Sequence, residues 1–449
     1  MNPRQASAPG PDPYFPDHGD PRYRVHHYAL DLDYRPVSNR LSGSARLSAQ
    51  AGPAPLEDIA LDLAAFRIQR VLLDGRPVRH THRAGKLRIR PAKALAPGTA
   101  FTVEVRYTGN PEPVRSPWGG LGWEELTDGA LVASQPVGAP SWYPCNDRPA
   151  DKAAYRLAIT TPSPYTAVAG GRLLTRTTRA SSTTWVYEQP APTSTYLVAV
   201  SLGKYTAVPL TDPDPADARH SPVPQTAYLP ARLLAEFTED FARQTRMMQF
   251  FEEVFGPYPF GEYTVVIADE ELEVPVEAQG MATFGTNHLD GARTWERLIA
   301  HELAHQWFGN SVSVADWQHI WLNEGFAKYA EWLWSEHTGG RTAAAHAAAA
   351  HHLLADLPQD LLPADPGQQL MFDDRLYERG GLTVHALRCA LGDHAFFPML
   401  RDWATLHRHG TVNTTDFTAH AQHYATAPLD ELFDAWLRKP SLPPLPGRN

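Results

Sequence analysis

Residues 299–310, IAHELAHQWFGN, decide how the second half of the chain is understood. They place His301 and His305 four residues apart, with Glu302 directly after the first histidine. On a helix, residues i and i+4 lie on one face, so both imidazoles can reach the same ion. Glu302 lies about 100° around the helix, where it can contact a water on that ion without ligating it. The pattern therefore indicates a metal site. A solvent-exposed helix in which a histidine pairs with a glutamate would show the same sequence pattern.

A second stretch, WLNEGFAKYAEWLW (residues 321–334), favours the metal site. It supplies Glu324, and 18 residues separate His305 from this glutamate. That gap accommodates a loop and a returning helix, which can place the carboxylate opposite the two histidines. Two histidines and one glutamate form a ligand set of catalytic zinc peptidases. Glu331, on the same helix face as Glu324, either orients a ligand histidine through its second ring nitrogen or is an ordinary surface charge.

The bulk properties of the chain exclude several function classes. Its 449 residues are enough for two or three domains. The net charge of −10, with no basic cluster, argues against a nucleic-acid partner. No apolar run approaches the roughly 18 residues of a membrane span. Two distant cysteines and an N-terminus without an apolar signal region predict a cytoplasmic protein.

Hydrophobic periodicity divides the chain into two parts. Apolar residues alternate in YALDLDY (28–34) and FTVEVRY (101–107), which is typical of half-buried strands. Helical periodicity dominates later, with a buried strand predicted at 263–269. We therefore predict an α+β multidomain chain, in which an antiparallel β-sandwich or saddle-like domain precedes a mainly helical domain with a small sheet. The predicted boundaries are a flexible arm (1–20), the all-β domain (21–207), a linker (208–225), the catalytic domain (226–440) and a tail (441–449).

These motifs resemble the zinc aminopeptidase family that includes aminopeptidase N and leukotriene hydrolase. HELAHQWFGN followed by WLNEGFA is similar to the family's core, and SQPVGAPSWYPCNDRPADKAAY (134–155), FGPYPFGEYTVV (255–266) and YERGG (377–381) match further family stretches. The resemblance covers roughly residues 20–440. It implies a saddle-shaped β-domain and a thermolysin-like catalytic domain. It also implies a short form that lacks the large C-terminal helical domain of many members.

The resemblance assigns roles residue by residue. It implies one Zn²⁺ per chain, ligated by His301, His305 and Glu324. Glu302 would be the general base, and Tyr377 would donate a hydrogen bond to the oxyanion. Gln135 would lie near the amino end of a peptide substrate.

One stretch departs from the family pattern, which reads Gly-x-Met-Glu-Asn and uses its glutamate to hold the substrate's α-amine. Aligning Met281 of VEAQGMATFG (276–285) with the motif methionine puts Ala282 where the glutamate belongs. We expect Gly280, Met281 and Ala282 to line the substrate site. Glu277 is nearby, but residues 277 and 282 of a regular strand point to opposite faces. It can replace the missing acid only if the backbone bulges or folds back.

The leading hypothesis is a zinc aminopeptidase that acts on peptides. A zinc peptidase without strict N-terminal specificity is the first alternative, since the amine-binding glutamate is absent from its expected position. A catalytically silent scaffold and a small-molecule hydrolase, such as an epoxide opener, are the others.

Overall fold

The computed structural model describes residues 10–210 and 223–446. An N-terminal β-domain precedes a mainly helical domain, as predicted. The strands before the catalytic sheet are β1 (Tyr23–Arg35), β2 (Arg40–Ala51), β3 (Ile59–Asp62), β4 (Arg67–Leu73), β5 (Arg76–Pro77), β6 (Arg79–Arg83), β7 (Lys86–Arg90), β8 (Ala100–Gly109), β9 (Val114–Ser116), β10 (Gly119–Leu126), β11 (Gly129–Ala133), β12 (Ala153–Pro162), β13 (Thr166–Ala169), β14 (Arg172–Arg179), β15 (Ser182–Thr193) and β16 (Val200–Gly203).

These strands form three sheets around one apolar core. The largest has the order β14-β15-β12-β1-β2-β8-β4-β5, and smaller sheets have the orders β13-β16-β11-β10-β9 and β3-β7-β6. The predicted alternation is confirmed, because Tyr28, Leu30, Leu32 and Tyr34 of β1 are all buried. One pair departs from the predicted antiparallel pattern. Strands β1 and β12 run parallel, which the long connection through β2–β11 permits.

The second domain combines a five-stranded sheet with a helical layer. The sheet has the order β17-β18-β19-β21-β20. Its strands, with two short ones elsewhere, are β17 (Thr206–Pro209), β18 (Gln225–Leu229), β19 (Tyr263–Ile267), β20 (Val276–Ala278), β21 (Met281–Phe284), β22 (Ser313–Val314) and β23 (Thr411–Val412). The helices are α1 (Leu234–Asp240), α2 (Gln244–Phe255), α3 (Glu296–Ala304), α4 (Trp321–His337), α5 (Ala343–Ala355), α6 (Asp374–Leu391), α7 (Asp393–Leu406), α8 (Thr414–Gln422) and α9 (Asp430–Phe433).

The predicted linker and tail fall partly on ordered structure. Strands β17 and β18 pair antiparallel at the edge of the catalytic sheet, so both ends of the 208–225 stretch are strand residues. The rest of that stretch, 211–222, lies outside the described residues. The predicted 441–449 tail begins at Ser441, whose carbonyl oxygen accepts a hydrogen bond from Arg379. Residues 447–449 lie outside the described part.

Residues 10–20 do not form part of the flexible arm predicted for residues 1–20, because they pack against the catalytic domain. Asp12 is 4% exposed, and its carboxylate accepts the Trp317 backbone N–H at 2.9 Å. The Tyr14 hydroxyl donates to Asp365 at 2.5 Å. Phe15 is buried in the same apolar core as the helices predicted to carry the zinc ligands. Residues 1–9 lie outside the described residues.

Helices α4 and α6 approach each other most closely at two glycines. A Cβ built on Gly325 would lie 2.8 Å from the Gly380 backbone, and one on Gly380 would lie 2.7 Å from Gly325 Cα. Any larger residue would therefore separate the helices. Gly325 adjoins Glu324, and Gly380 lies one turn from Tyr377, so this contact sets the spacing between two predicted site residues. In the described part of the chain, no helix is both long and apolar enough to span a bilayer.

Gly325→Ala is expected to destabilise the protein and to lower kcat. Overpacking costs about 1–3 kcal/mol and exceeds the roughly 1 kcal/mol gained by removing a helical glycine. Thermal unfolding and steady-state kinetics measure the two effects. Gly381→Ala is the matched control, because its Cβ would meet flexible Lys328 and the rim of Trp332 at 3.2 Å. Equal losses in the two variants would show that the glycine contact does not set the helix spacing.

Candidate metal centre and active site

The centre is built on helix α3, whose last turns carry the His-Glu-x-x-His pattern. His301 and His305 are 8% and 1% exposed, and their rings lie 4.8 Å apart between centroids. The helix ends at Ala304, but His305 keeps helical dihedral angles as its C-cap. The i, i+4 relation therefore holds across the helix end, and both imidazoles face the same side.

Helix α4 brings a carboxylate to these imidazoles from its first turn. Glu324 Oε2 lies 3.5 Å from His301 Nε2 and 3.4 Å from His305 Nε2. Ligand atoms at 2.0–2.2 Å from a tetrahedral zinc ion are about 3.3–3.6 Å apart. The three side chains thus have the donor atoms and the spacing that Zn²⁺ needs.

The outer nitrogens of both imidazoles are occupied. His301 Nδ1 lies 2.9 Å from Glu331 Oε1, and His305 Nδ1 lies 3.1 Å from the Phe308 carbonyl oxygen. A histidine that donates from Nδ1 keeps the lone pair of Nε2 free for a metal. Glu331 is 6% exposed. The structure therefore places it as a partner of His301 rather than as an open surface charge.

Glu302 points into the same buried space. It is 4% exposed, and its Oε2 has no hydrogen-bond partner among the described residues. Burial raises the pKa of Glu302 above its ordinary value. A buried carboxylate oxygen without a partner, beside a metal ligand set, is available to a water or a substrate.

Tyr377 approaches the centre from helix α6. Its ring lies 6.1 Å from the His301 ring, with 24° between their planes. Burial raises the pKa of Tyr377 well above its ordinary value. The hydroxyl therefore stays protonated at neutral pH and can donate a hydrogen bond.

Glu277 reaches the centre because β20 and β21 form a hairpin. The chain reverses at Gln279 and Gly280, the latter with φ +75°, and Glu277 pairs directly with Ala282. Directly opposed residues of an antiparallel pair share a face. The regular strand that would put residues 277 and 282 on opposite faces therefore does not form. The backbone folds back between them, which is the condition under which Glu277 can replace the missing acid. Ligand atoms of Glu277, Glu302 and His305 all lie within 4.8 Å of one another.

The other residues predicted to bind substrate are placed differently. Ala282 is buried in the core of the catalytic domain. Met281 faces away from the centre, in an apolar cluster that joins Val266 to Val168 of the β-domain. The Gly280 N–H is already used, because it donates to Gln306. Gln135 follows β11, and its buried Nε2 has no hydrogen-bond partner in the described part of the chain.

Two domain models of one protein family match the chain. The peptidase M1 N-terminal domain model matches residues 24–197, and the peptidase family M1 domain model matches residues 239–436. Aminopeptidase M1-D of Oryza sativa subsp. japonica is 25% identical over 343 residues, which are 71% of this chain. The chain spans only 38% of that relative's length.

Solved structures match over almost the whole chain. An M1 zinc metallopeptidase from Deinococcus radiodurans is 31% identical, with a TM-score of 0.88, over 98% of this chain and 99% of its own. A mutant of that protein has been solved bound to a Tyr-Ser-Ala substrate. Native yeast LTA4 hydrolase has a TM-score of 0.80 at 22% identity, over 95% of this chain and 69% of its own, and so shares the fold.

Proposed function

The chain belongs to peptidase family M1, and from this premise we propose that it is a zinc-dependent aminopeptidase that releases N-terminal residues from peptides. The observation that carries the proposal is the position of Glu277. Its carboxylate lies within 4.8 Å of the ligand atoms of Glu302 and His305. An acid at this distance from a hydrolytic centre can pair with the α-ammonium of a peptide whose first carbonyl lies at the metal.

His301, His305 and Glu324 would hold one zinc ion per chain. When bound, zinc supplies a Lewis acid that polarises a carbonyl and lowers the pKa of water. Glu331 would keep His301 in the tautomer that ligates, through the 2.9 Å contact with Nδ1. The Phe308 carbonyl would do the same for His305.

Glu302 would move the protons of the reaction. Its unpartnered Oε2 accepts a proton from the attacking water and then delivers it to the leaving amine. Burial favours the protonated carboxyl that this second step needs. Both transfers occur at one side chain, so no further acid is required.

Tyr377 would stabilise the charge that develops on the substrate carbonyl oxygen. Its protonated hydroxyl, on the His301 side of the centre, donates a hydrogen bond to that oxygen. Gln135 would add a contact near the substrate's amino end, because its buried Nε2 lacks a partner among the described residues.

One reason for the alternative of relaxed specificity was Ala282 in place of an acid. Because the hairpin puts Glu277 beside Ala282 and within 4.8 Å of His305, that reason no longer applies. Peptides are the proposed substrates, consistent with the Tyr-Ser-Ala complex of the Deinococcus radiodurans relative.

A matched pair of short peptides, one free and one N-acetylated, tests the proposal. We expect kcat/KM for the acetylated peptide to be at least about 100-fold lower, since leaving a buried charge unpaired costs about 3–5 kcal/mol. Metal analysis should give one zinc per chain, and a chelator should abolish both the zinc and the activity. Equal cleavage of the two peptides would contradict an aminopeptidase. Full activity without zinc would contradict the metal assignment.

A further inference from the structure

The hairpin that carries Glu277 is held by two side chains from just beyond the zinc helix. Gln306 Nε2 donates to the Ala278 carbonyl at 3.1 Å, and Gln306 Oε1 accepts the Gly280 N–H at 2.8 Å. Asn310 Nδ2 donates to the same Ala278 carbonyl at 2.9 Å. Gln306 and Asn310 are both fully buried. The segment that follows His305 is therefore bonded directly to the residue next to Glu277.

The β-domain holds the turn of the same hairpin from the other side. Gln279 Nε2 donates to Thr193 Oγ1 at 2.7 Å and to the Ala191 carbonyl at 3.2 Å. The Gln279 N–H donates to the Leu197 carbonyl at 3.1 Å. At Gly170 the two backbones approach so closely that a Cβ would lie 2.4 Å from the Gln279 carbonyl oxygen. The turn is thus wedged between the two domains.

Lys152 of the β-domain anchors the segment that carries Asn310. Its Nζ donates to the Asn310 and Ser311 carbonyls and to Ser313 Oγ, each at 2.9 Å. Lys152 is 5% exposed, and burial lowers its pKa to about 7. These oxygens replace the water that would otherwise bond to Nζ. The β-domain therefore contacts both the hairpin and the segment that grips it.

This arrangement matters because β20 is a weak element by itself. It has three residues and lies at the edge of its sheet, where β21 is its only partner strand among the described residues. A displacement of about 1 Å at a reacting centre can cost about 100-fold in rate. Glu277 therefore needs support that its own strand does not supply.

We propose that Gln306 and Asn310 are positioning residues that fix the Glu277 carboxylate relative to the zinc ligands, with Lys152 and Gln279 as the β-domain's part of this clamp. The inference rests on the proposed role of Glu277 as the amine anchor. Neither Gln306 nor Asn310 acts on the substrate. They set where its α-amine is held, and so which peptide bond lies at the metal.

A double-mutant cycle between Gln306→Met and Glu277→Ala tests the clamp, with a free tripeptide as substrate. Methionine keeps the length and burial of glutamine but loses both hydrogen bonds to the hairpin. We expect Gln306→Met to lower kcat/KM at least about tenfold, mainly through KM. In the Glu277→Ala background the same change should cost less than about twofold, because there is no carboxylate left to position. Asn310→Leu, which removes only the second donor to the Ala278 carbonyl, should lie between wild type and Gln306→Met.

Two further measurements separate positioning from general damage. Zinc content should stay at one ion per chain in every variant; if Gln306→Met loses zinc, the cycle is run with Asn310→Leu, which removes the other donor to the Ala278 carbonyl. Ser311→Ala removes a hydrogen bond from the His409 N–H in the same segment without touching the hairpin, and should leave KM unchanged. Equal losses from Gln306→Met with and without Glu277 would overturn the clamp. An unchanged kcat/KM in Glu277→Ala alone would instead show that Glu277 does not bind the α-amine. Gln306 and Asn310 would then have no amine-binding carboxylate to position.

Discussion

Replacing Glu302 with glutamine is expected to leave one zinc ion per chain and to lower kcat by roughly 10³-fold. A positioned general base typically contributes about 10²–10⁴-fold. Glutamine has nearly the same shape but cannot accept a proton at Oε2, the atom that has no protein partner among the described residues. Glu302 is absent from the His301, His305 and Glu324 ligand group, so zinc affinity should change little.

The measurement pairs kcat on a free tripeptide with zinc content of the same sample. Glu331→Gln is the matched control, because Glu331 contacts His301 Nδ1 from outside the ligand group. Loss of such a partner typically weakens metal affinity or activity about 10–100-fold. The two variants should therefore fail in different ways, one in kcat at full zinc and the other first in zinc retention. Wild-type turnover by Glu302→Gln would remove this residue as the base.

The parts of the site that were predictable from sequence are those fixed by local geometry. His301 and His305 share one helix face whatever surrounds the helix, and α3 holds them as the spacing predicts. Glu324 was predictable because the 18-residue gap suits a loop and a returning helix. The β-domain strands were predictable for the same reason, since alternation such as that of Tyr28 and Leu30 requires only a half-buried sheet.

The position of Glu277 could not be decided from the sequence because it depends on a chain reversal. The sequence VEAQGMATF is compatible with one continuous strand and with two short strands. The two possibilities differ only in whether the chain turns at Gln279 and Gly280, as it does in the structure. Gln-Gly is not among the dipeptides that mark a two-residue hairpin turn, so the letters do not reveal the reversal. Without the reversal, Ala282 leaves an apparent gap where the structure has an acid.

Other features carry no local signal. Gln306 and Asn310 bond to backbone atoms of a hairpin about 30 residues earlier in the chain, and any sequence offers such backbone groups. Residues 10–20 are rich in proline and polar residues, which is typical of a loose segment. Their packing arises from a few specific contacts, such as that of Asp12 with the Trp317 N–H. These contacts become visible only once both domains are in place.

Replacing Tyr377 with phenylalanine is expected to lower kcat about 10²–10³-fold with little change in KM. Removing one oxyanion donor costs this much in other hydrolases, because the hydrogen bond strengthens only as charge develops on the oxygen. The ring that packs beside His301 is kept, so zinc binding and stability should be preserved.

Tyr329→Phe is the control, since that hydroxyl contacts His385 and Arg388 of helix α6, at 3.2 Å and 3.3 Å, and not the residues of the site. It should lower stability by about 1 kcal/mol and leave kcat within about twofold. Steady-state kinetics and thermal unfolding of both variants make the comparison. A Tyr377→Phe variant with a raised KM and an unchanged kcat would mean that the tyrosine binds the substrate's ground state. The oxyanion would then need a different hydrogen-bond donor. A decrease in kcat without a change in KM would instead assign hydrogen-bond donation to the Tyr377 hydroxyl.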